Sequence, residues 1–397
     1  MIELECLAYG VGHADEGICL LLRIGPYRIM LDCGLRDLTP IISQTKKGKL
    51  PADLVLCSHA HADHARGLLE LHKAFPKLPI YASEVTTQLL PLNWADVPLT
   101  ELPLFCQALP LQTPVEFLDG LSAELYPAGH LPGATALLLS YTPPATPEFS
   151  RSYTVLYTGD FFLSNTRLVE GLPLEELRGS QPDVLIVEGS YGTSRHPHRR
   201  QQENQLAERI NRAIADQQSI LLPAYLGLGQ ELLMLLRSHH YFTGRNLDIW
   251  VDGLIAKGCD AYLEILPHLP TSVQNFARHQ ALFWDERVRP RVRRLVPDYR
   301  SDVGKTACIV LTDDTTDLRQ YYRANPQDWL ILRPQEPHRP GANPATTNAR
   351  SFNLPVSPLT EMYLLAQHCD GPGTTQLIHN LRPQHVVFIH GSETYLS

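Results

Sequence analysis

The sequence predicts an α/β fold: a sandwich of sheets flanked by helices, interrupted late in the chain by a second α/β unit. Three features predict it. Apolar runs of strand length, with helical stretches between them, recur up to about Val187. From about Tyr191 the texture changes to a strand–loop–helix–strand rhythm. A strand-borne histidine, His390, then follows the candidate metal ligand Asp160 by 230 positions, so the intervening segment is expected to fold as a lobe over a shared site. At 397 residues there is material for two cores, since single cores rarely grow past about 250–300 residues.

The elements follow in order. Glu3–Tyr9, Ile18–Ile24 and Tyr27–Asp32 alternate as strands, the last two joined by the turn dipeptide Gly25-Pro26 into a hairpin. Asp53–Cys57 is a short buried strand, and Asp63–Phe75 carries helical periodicity. Further strands are expected at Ala123–Tyr126, Thr135–Ser140, Thr154–Tyr157 and Val184–Val187, with the Pro-rich stretch Tyr141–Phe149 as an exposed loop. In the second unit, Arg199–Ala215 and Gln230–Ser238 read as helices. Ser219–Pro223, Asp248–Val251, Cys308–Leu311 and Trp329–Leu332 read as strands. A loop rich in Pro, Gly and Asn runs from Pro334 to about Asn353; Thr374–Leu381 is then a helix and His385–Ile389 a strand. The expected division is a sandwich domain over 1–194 and 351–397, with an inserted domain over 195–350.

Composition is that of an ordinary globular chain, 44% hydrophobic and 19% charged. A formal charge of −8 does not suggest a general polyanion binder. One local exception is the basic stretch Arg287–Arg294 with Arg300, either a solvated face or a wall that tracks phosphates through Arg291, Arg293 and Arg294. Eight scattered cysteines without a Cys-x-x-Cys pair fit reduced, buried thiols. The amino terminus lacks a signal-peptide pattern, and no apolar run approaches the roughly 18 residues needed to span a bilayer. A cytosolic protein without membrane attachment is expected.

Seven side chains carry the functional signal: His59-Ala-His61-Ala-Asp63-His64, directly after a strand, then His130, Asp160 and His390. Imidazole and carboxylate suit zinc where a coordination position must stay open for water. The four ligands between His59 and His64 cannot all reach one ion. His59 and His61 point one way, Asp63 and His64 can serve a second ion, and a carboxylate such as Asp160 can bridge the two. Metals roughly 3.5–4 Å apart would polarise a shared water and clamp a phosphate. Imidazole and carboxylate also accept manganese, so two Zn2+ are expected with Mn2+ as the alternative.

The order His59-x-His61-x-Asp63-His64, His130, Asp160 resembles the metallo-β-lactamase fold, an αββα sandwich. The later elements resemble its β-CASP subgroup of RNA-processing nucleases, which includes RNase J and the endonuclease of the cleavage and polyadenylation machinery. Asp183-Val-Leu-Ile-Val-Glu188-Gly-Ser-Tyr-Gly192 is similar to that subgroup's first added motif. His368-Cys-Asp370 and His390-Gly391, with His368 and His390 22 positions apart, are similar to its second and third. The resemblance runs from about Leu4 to Gly391.

It implies that His59, His61, His130 and Asp160 hold one zinc, and Asp63, His64, Asp160 and His390 the other. It implies that His368, oriented by Glu188, assists the reaction, and that Asp32 supports the metal loop from behind the ligands. The activity implied is hydrolysis of RNA phosphodiester bonds by a two-metal-activated hydroxide, endonucleolytic or 5′-exonucleolytic. His390 favours RNA, because subgroup members acting on DNA generally lack that histidine. Two loops depart from the pattern: Leu228 stands where an arginine is usual, and Thr312-Asp-Asp-Thr315 replaces a small-residue loop. Seven residues follow His390, no room for an added oligomerisation or RNA-binding domain, which leaves a catalytic core or a truncated chain. RNA is the expected substrate, with a homodimer or an RNA-processing complex partner left open. The alternatives are a small-molecule ester or thioester metallo-hydrolase and a non-catalytic RNA-processing subunit.

Overall fold

The structure, a computed structural model, describes residues 4–12, 16–45, 48–144, 151–322, 325–335 and 358–391. Three six-stranded sheets organise them. The first is laid down in chain order: β1 (Leu4–Val11), β2 (Ile18–Ile24), β3 (Tyr27–Leu31), β4 (Leu54–Leu56), β5 (Ile80–Ser83) and β6 (Cys106–Leu109). The Gly25-Pro26 turn makes the expected hairpin, setting Ile24 opposite Tyr27.

The second sheet holds β7 (Val115–Leu118), β8 (Leu121–Pro127), β9 (Thr135–Tyr141), β10 (Tyr153–Tyr157) and β11 (Val184–Glu188). The third holds β12 (Ser219–Ala224), β13 (Asp248–Val251), β14 (Arg291–Arg294), β15 (Ile309–Asp313), β16 (Trp329–Pro334) and β17 (Leu359–Tyr363), all parallel. The chain then returns to the second sheet as β18 (His385–Ile389), parallel to β11. The third sheet thus takes its edge strand β17 from beyond residue 350. Its order, β14-β13-β15-β12-β16-β17, is that of an open α/β sheet.

Alternation explains the packing. Ile18, Leu20, Leu22 and Ile24 of β2 meet Leu121, Ala123 and Leu125 of β8 and Leu137 and Leu139 of β9, forming the sandwich interior. The opposite faces of β3 and β4, through Met30 and Val55, join a second cluster with Leu68 and Leu71 of the helix Leu68–Ala74. That cluster continues into Leu206, Ile210, Leu222 and Leu232, so the lobe and the sandwich share buried apolar surface. Each such side chain contributes about 1.5–3 kcal/mol on burial, which favours the docked lobe.

Some boundaries differ from expectation. The helix expected over Asp63–Phe75 is two, Ala62–Ala65 and Leu68–Ala74. Between them the Gly67 N–H turns to the carbonyl of Cys33 (2.9 Å), leaving the helical ladder. A Cβ on Gly67 would sit 2.9 Å from that same oxygen, so the close approach requires glycine. The helices Gly253–Glu264 and Thr271–His279 were not expected. The expected loops at Tyr141–Phe149 and Pro334–Asn353 lie largely outside the described residues, although Tyr141 itself ends β9 and is buried. Six of the eight cysteines are buried and all are free. Among the described residues no helix is long and apolar enough to cross a membrane.

Candidate metal centre

The candidate ligands lie at the ends of strands. Ser58 to His64 follow β4, His130 lies in the β8–β9 turn, Asp160 follows β10, Glu188 ends β11 and His390 follows β18. Asp32 follows β3 with φ of 57° and His390 follows β18 with φ of 53°; Asp and His tolerate this left-handed region better than most residues. Asp32 is fully buried and collects the supports. It accepts from the backbone N–H of Ser58 (2.6 Å), the Ser58 hydroxyl (2.7 Å), His64 Nδ1 (2.7 Å) and the Tyr157 hydroxyl (2.5 Å). Asp32 thus ties the end of β3 to Ser58 and His64 of the histidine-rich loop.

His59, His61, His130 and Asp160 form one group whose ligand atoms all lie within 4.8 Å of one another. His61 Nδ1 is 3.2 Å from His59 Nε2 and 3.0 Å from His130 Nε2. The other nitrogens are occupied by acceptors. His59 Nδ1 meets the Ser58 hydroxyl (3.0 Å), His61 Nε2 the carbonyl of Leu226 (2.9 Å), and His130 Nδ1 the carbonyl of Gln367 (2.9 Å). Carbonyls accept only, so His61 and His130 carry protons on those outer nitrogens and turn lone pairs into the group. Burial lowers the pKa of all three imidazoles, pushing His130 down to about 3, so they are held in the neutral, ligating form.

Asp63, His64 and His390 form a second group. His64 gives its Nδ1–H to Asp32, and its Nε2, 3.4 Å from Asp160 Oδ2, is buried without a hydrogen-bond partner. Asp160 Oδ1 is likewise buried and lacks a hydrogen bond, although His390 Nδ1 lies 3.0 Å away. His390 Nε2 is 3.4 Å from Asp63 Oδ2. Burial raises the Asp160 pKa, but the neighbouring His390 and His64 outweigh it and hold the carboxyl well below its usual range. Burial opposes charge on His64, yet Asp160 and Asp32 raise it to about 10. The orphaned Asp160 Oδ1 is an acceptor that a cation would satisfy, and such a cation would take the place of the proton on His64 Nε2. This His/Asp cluster is capable of binding metal ions.

A third group joins Asp160 and His390 to Glu188 and His368. His368 Nδ1 lies 2.9 Å from Glu188 Oε2, and Glu188 also accepts from the N–H of Phe161 (2.7 Å) and from the Ser190 hydroxyl. Burial pushes the Glu188 pKa up, but His368 overrides it and brings it down to about 2. Burial works against the charged form of His368, and Glu188 with Asp160 raises its pKa nonetheless. The pair is therefore an ion pair, with Nε2 as the ring's remaining donor. Residues 364–370 belong to no strand or helix, and lobe side chains hold them instead. Gln202 accepts from the N–H of Ala366 (2.9 Å) and Arg199 donates to its carbonyl (2.5 Å).

The remaining expected residues lie elsewhere. Arg291, Arg293 and Arg294 are on β14, an edge strand, paired with Asp248 (2.5 Å), Glu286 (3.2 Å) and Asp260 (2.5 Å) respectively. Leu228 is fully buried at the start of the helix Leu228–Ser238. Asp313 is buried and accepts from the N–H of Leu254 (3.0 Å), at the start of the earlier helix Gly253–Glu264, while Asp314 is exposed. Sequence reasoning missed Ser58, Tyr157, Ser190, Arg199 and Gln202; Ser58, flanking the histidine motif, and Ser190, within the motif around Glu188, were the two with a local signal.

A profile of the metallo-beta-lactamase superfamily matches residues 16–223. An uncharacterized protein of Synechocystis sp. is 50% identical over 98% of this chain and 68% of its own length. A probable RNase of Methanocaldococcus jannaschii is 25% identical over 94% of this chain and 90% of its own. Cleavage and polyadenylation specificity factor 73 of Drosophila melanogaster is 24% identical over 99% of this chain and 60% of its own.

Proposed function

The chain belongs to the metallo-β-lactamase superfamily, and on that premise we propose that it is a zinc-dependent ribonuclease that hydrolyses RNA phosphodiester bonds, internally or from the 5′ end. The observation that carries this reading is the Glu188–His368 ion pair beside the His/Asp cluster, with Asp160 and His390 within 4.8 Å in the same group. A hydrolase that only polarises a small carbonyl has no need of this second protonated group. The relative named as a probable RNase, matched over most of both chains, favours RNA as the polymer. The same reading takes the segment from about residue 195 through β17 as the inserted β-CASP domain, since β17 closes the third sheet, so the return to the sandwich falls after Tyr363 rather than at the expected 351.

His59, His61, His130 and Asp160 would hold one ion, and Asp63, His64, Asp160 and His390 the other. When bound, the ions would supply an acidified water and neutralise charge on the phosphate. The chain's own groups do the rest. Asp32 fixes His64 through its Nδ1–H, and Ser58 does the same for His59. Glu188, held ionised, keeps the Nδ1 proton of His368 in place and so orients Nε2–H toward the leaving oxygen, which it protonates. Burial of the cluster excludes bulk water and strengthens each of these interactions.

The test is cleavage of a 5′-labelled single-stranded RNA by purified, metal-analysed protein, with matched DNA and the Asp160→Ala variant as controls. Metal-dependent RNA products that vanish in the variant are expected, and their lengths separate internal from end-directed cutting. Bound metal with no cleavage of either polymer would overturn the reading in favour of a small ester substrate or a subunit that needs a partner.

A further inference from the structure

A cavity of about 720 Å³ lies between the loop that follows β11, the helix Gly371–Leu381 and β18, lined by residues that neighbour the candidate catalytic groups in sequence. Three catalytic segments contribute to its wall: Gly189 directly follows Glu188, Gly371 lies three positions after His368, and Phe388 two before His390. The nearby Tyr191 ring touches that of His368, with centroids 6.1 Å apart.

The chemistry of the wall is specific. Among the described residues that line it there is no carboxylate, in a chain whose formal charge is −8. Arg195 is exposed and has no hydrogen bond or ion pair among the described residues, unlike the three arginines of β14, each of which meets a carboxylate. Phe388 keeps 42% of its surface in solvent on the outermost strand of the second sheet, where a phenyl ring gains nothing from being exposed. The other side chains on the wall are mostly uncharged and polar, among them Thr375 and Gln376. A free guanidinium, an available aromatic face and an acid-free surface together fit a nucleotide whose base is unpaired: the ring stacks a base without reading its sequence, and the cation takes a phosphate.

We propose that this cavity is a subsite for an unpaired nucleotide of the substrate RNA next to the scissile phosphate, with its base against Phe388 and its phosphate at Arg195. The proposal rests on the ribonuclease reading above and deepens it by assigning one nucleotide's base and phosphate to named residues of this chain; the base must be unpaired to offer Phe388 a free face.

The test is fluorescence anisotropy with a labelled 2′-O-methyl single-stranded oligoribonucleotide, using the metal-loaded protein and its Phe388→Ala, Phe388→Trp and Arg195→Ala variants. Both positions are solvent-exposed, and metal content and melting temperature report whether each variant is intact. Phe388→Ala is expected to weaken binding roughly 5- to 100-fold, with Phe388→Trp restoring it. Arg195→Ala should lower the slope of log K against log[salt] by about 0.7. Wild-type binding that neither variant alters would overturn the subsite and leave the ribonuclease reading standing. A wild-type protein that hydrolyses bis(4-nitrophenyl) phosphate yet binds no RNA would overturn both.

Discussion

His61 donates its Nε2–H to the carbonyl of Leu226, 2.9 Å away on the inserted lobe and 165 positions further along the chain. That bond fixes which nitrogen of a candidate ligand faces the metal cluster, so the sandwich's site is completed by the lobe. Leu226 precedes Gly227, whose φ of +88° is open to glycine, and a Cβ there would meet Leu131 Cδ1 at 2.7 Å. Gly227→Ala should therefore shift the Leu226 carbonyl and weaken metal binding about 10- to 100-fold, the usual cost of losing a partner that orients a ligand. Competition against a chelating dye measures this directly; unchanged affinity in a folded variant would mean that His61 is oriented by the sandwich alone.

Asp160 stands between the two groups of candidate ligands, 3.5 Å from His59 Nε2, 3.4 Å from His64 Nε2 and 3.7 Å from His130 Nε2, and on the proposed two-ion reading it would serve both. Asp160→Ala should leave at most one ion per chain by elemental analysis and abolish hydrolysis. Full metal content in that variant would contradict a bridging role.

The candidate ligands, which the fold brings together, were legible in the sequence because their side-chain types declare their chemistry and the first four sit together. Their partners were not. Leu226 and Gln367 act through backbone carbonyls, which leave no trace in residue identity, and reach His61 and His130 across 165 and 237 positions. Strands such as Ile18–Ile24 were legible as short apolar runs, because side chains on both of their faces are buried. Edge strands such as Leu359–Tyr363, mostly exposed, have no such pattern. The helix Gly253–Glu264 was hidden by its glycines, each worth about 1 kcal/mol against helix. Gly258 is there for packing: a Cβ would meet the Gln230 amide nitrogen at 2.7 Å.

His368 contacts Glu188 through Nδ1 and belongs to neither of the two groups that bring the seven expected ligands together. His368→Ala should keep both ions while lowering kcat about 10²- to 10⁴-fold, the usual contribution of a positioned acid. Glu188→Gln should fall in between, because the amide still accepts the Nδ1–H but no longer holds the ring charged. Loss of an ion on substituting His368 would make it a ligand instead.

Arg209 and Glu361 form a two-point ion pair (2.7 and 2.8 Å) that ties β17 to the helix Arg199–Ala215. Hydrogen bonding to Arg209 lowers the Glu361 pKa below its ordinary value of 4.5. A depressed folded-state pKa gives stability that is present above 4.5 and lost as the pH falls through the folded value. The pair is part-exposed and screened, so Glu361→Gln should cost about 0.5–1 kcal/mol at neutral pH and nothing in strong acid. Urea denaturation at the two pH values checks this; an equal cost at both would assign the effect to packing.

The three arginines of β14 test how much a basic stretch in sequence says about polyanion binding. Arg291 meets Asp248, Arg293 lies over Trp250 and meets Glu286, and Arg294 lies over Trp284 and meets Asp260. Each positive charge already has a carboxylate beside it, so replacing all three with Gln should strip stability from the lobe's edge while changing the salt dependence of RNA binding little. The expected cost is about 1–3 kcal/mol, through lost cation–π contacts and carboxylates left unpaired. An RNA salt slope that instead falls by about 2 would show that the arginines exchange their carboxylates for phosphates, and would make this strand a wall of the substrate path.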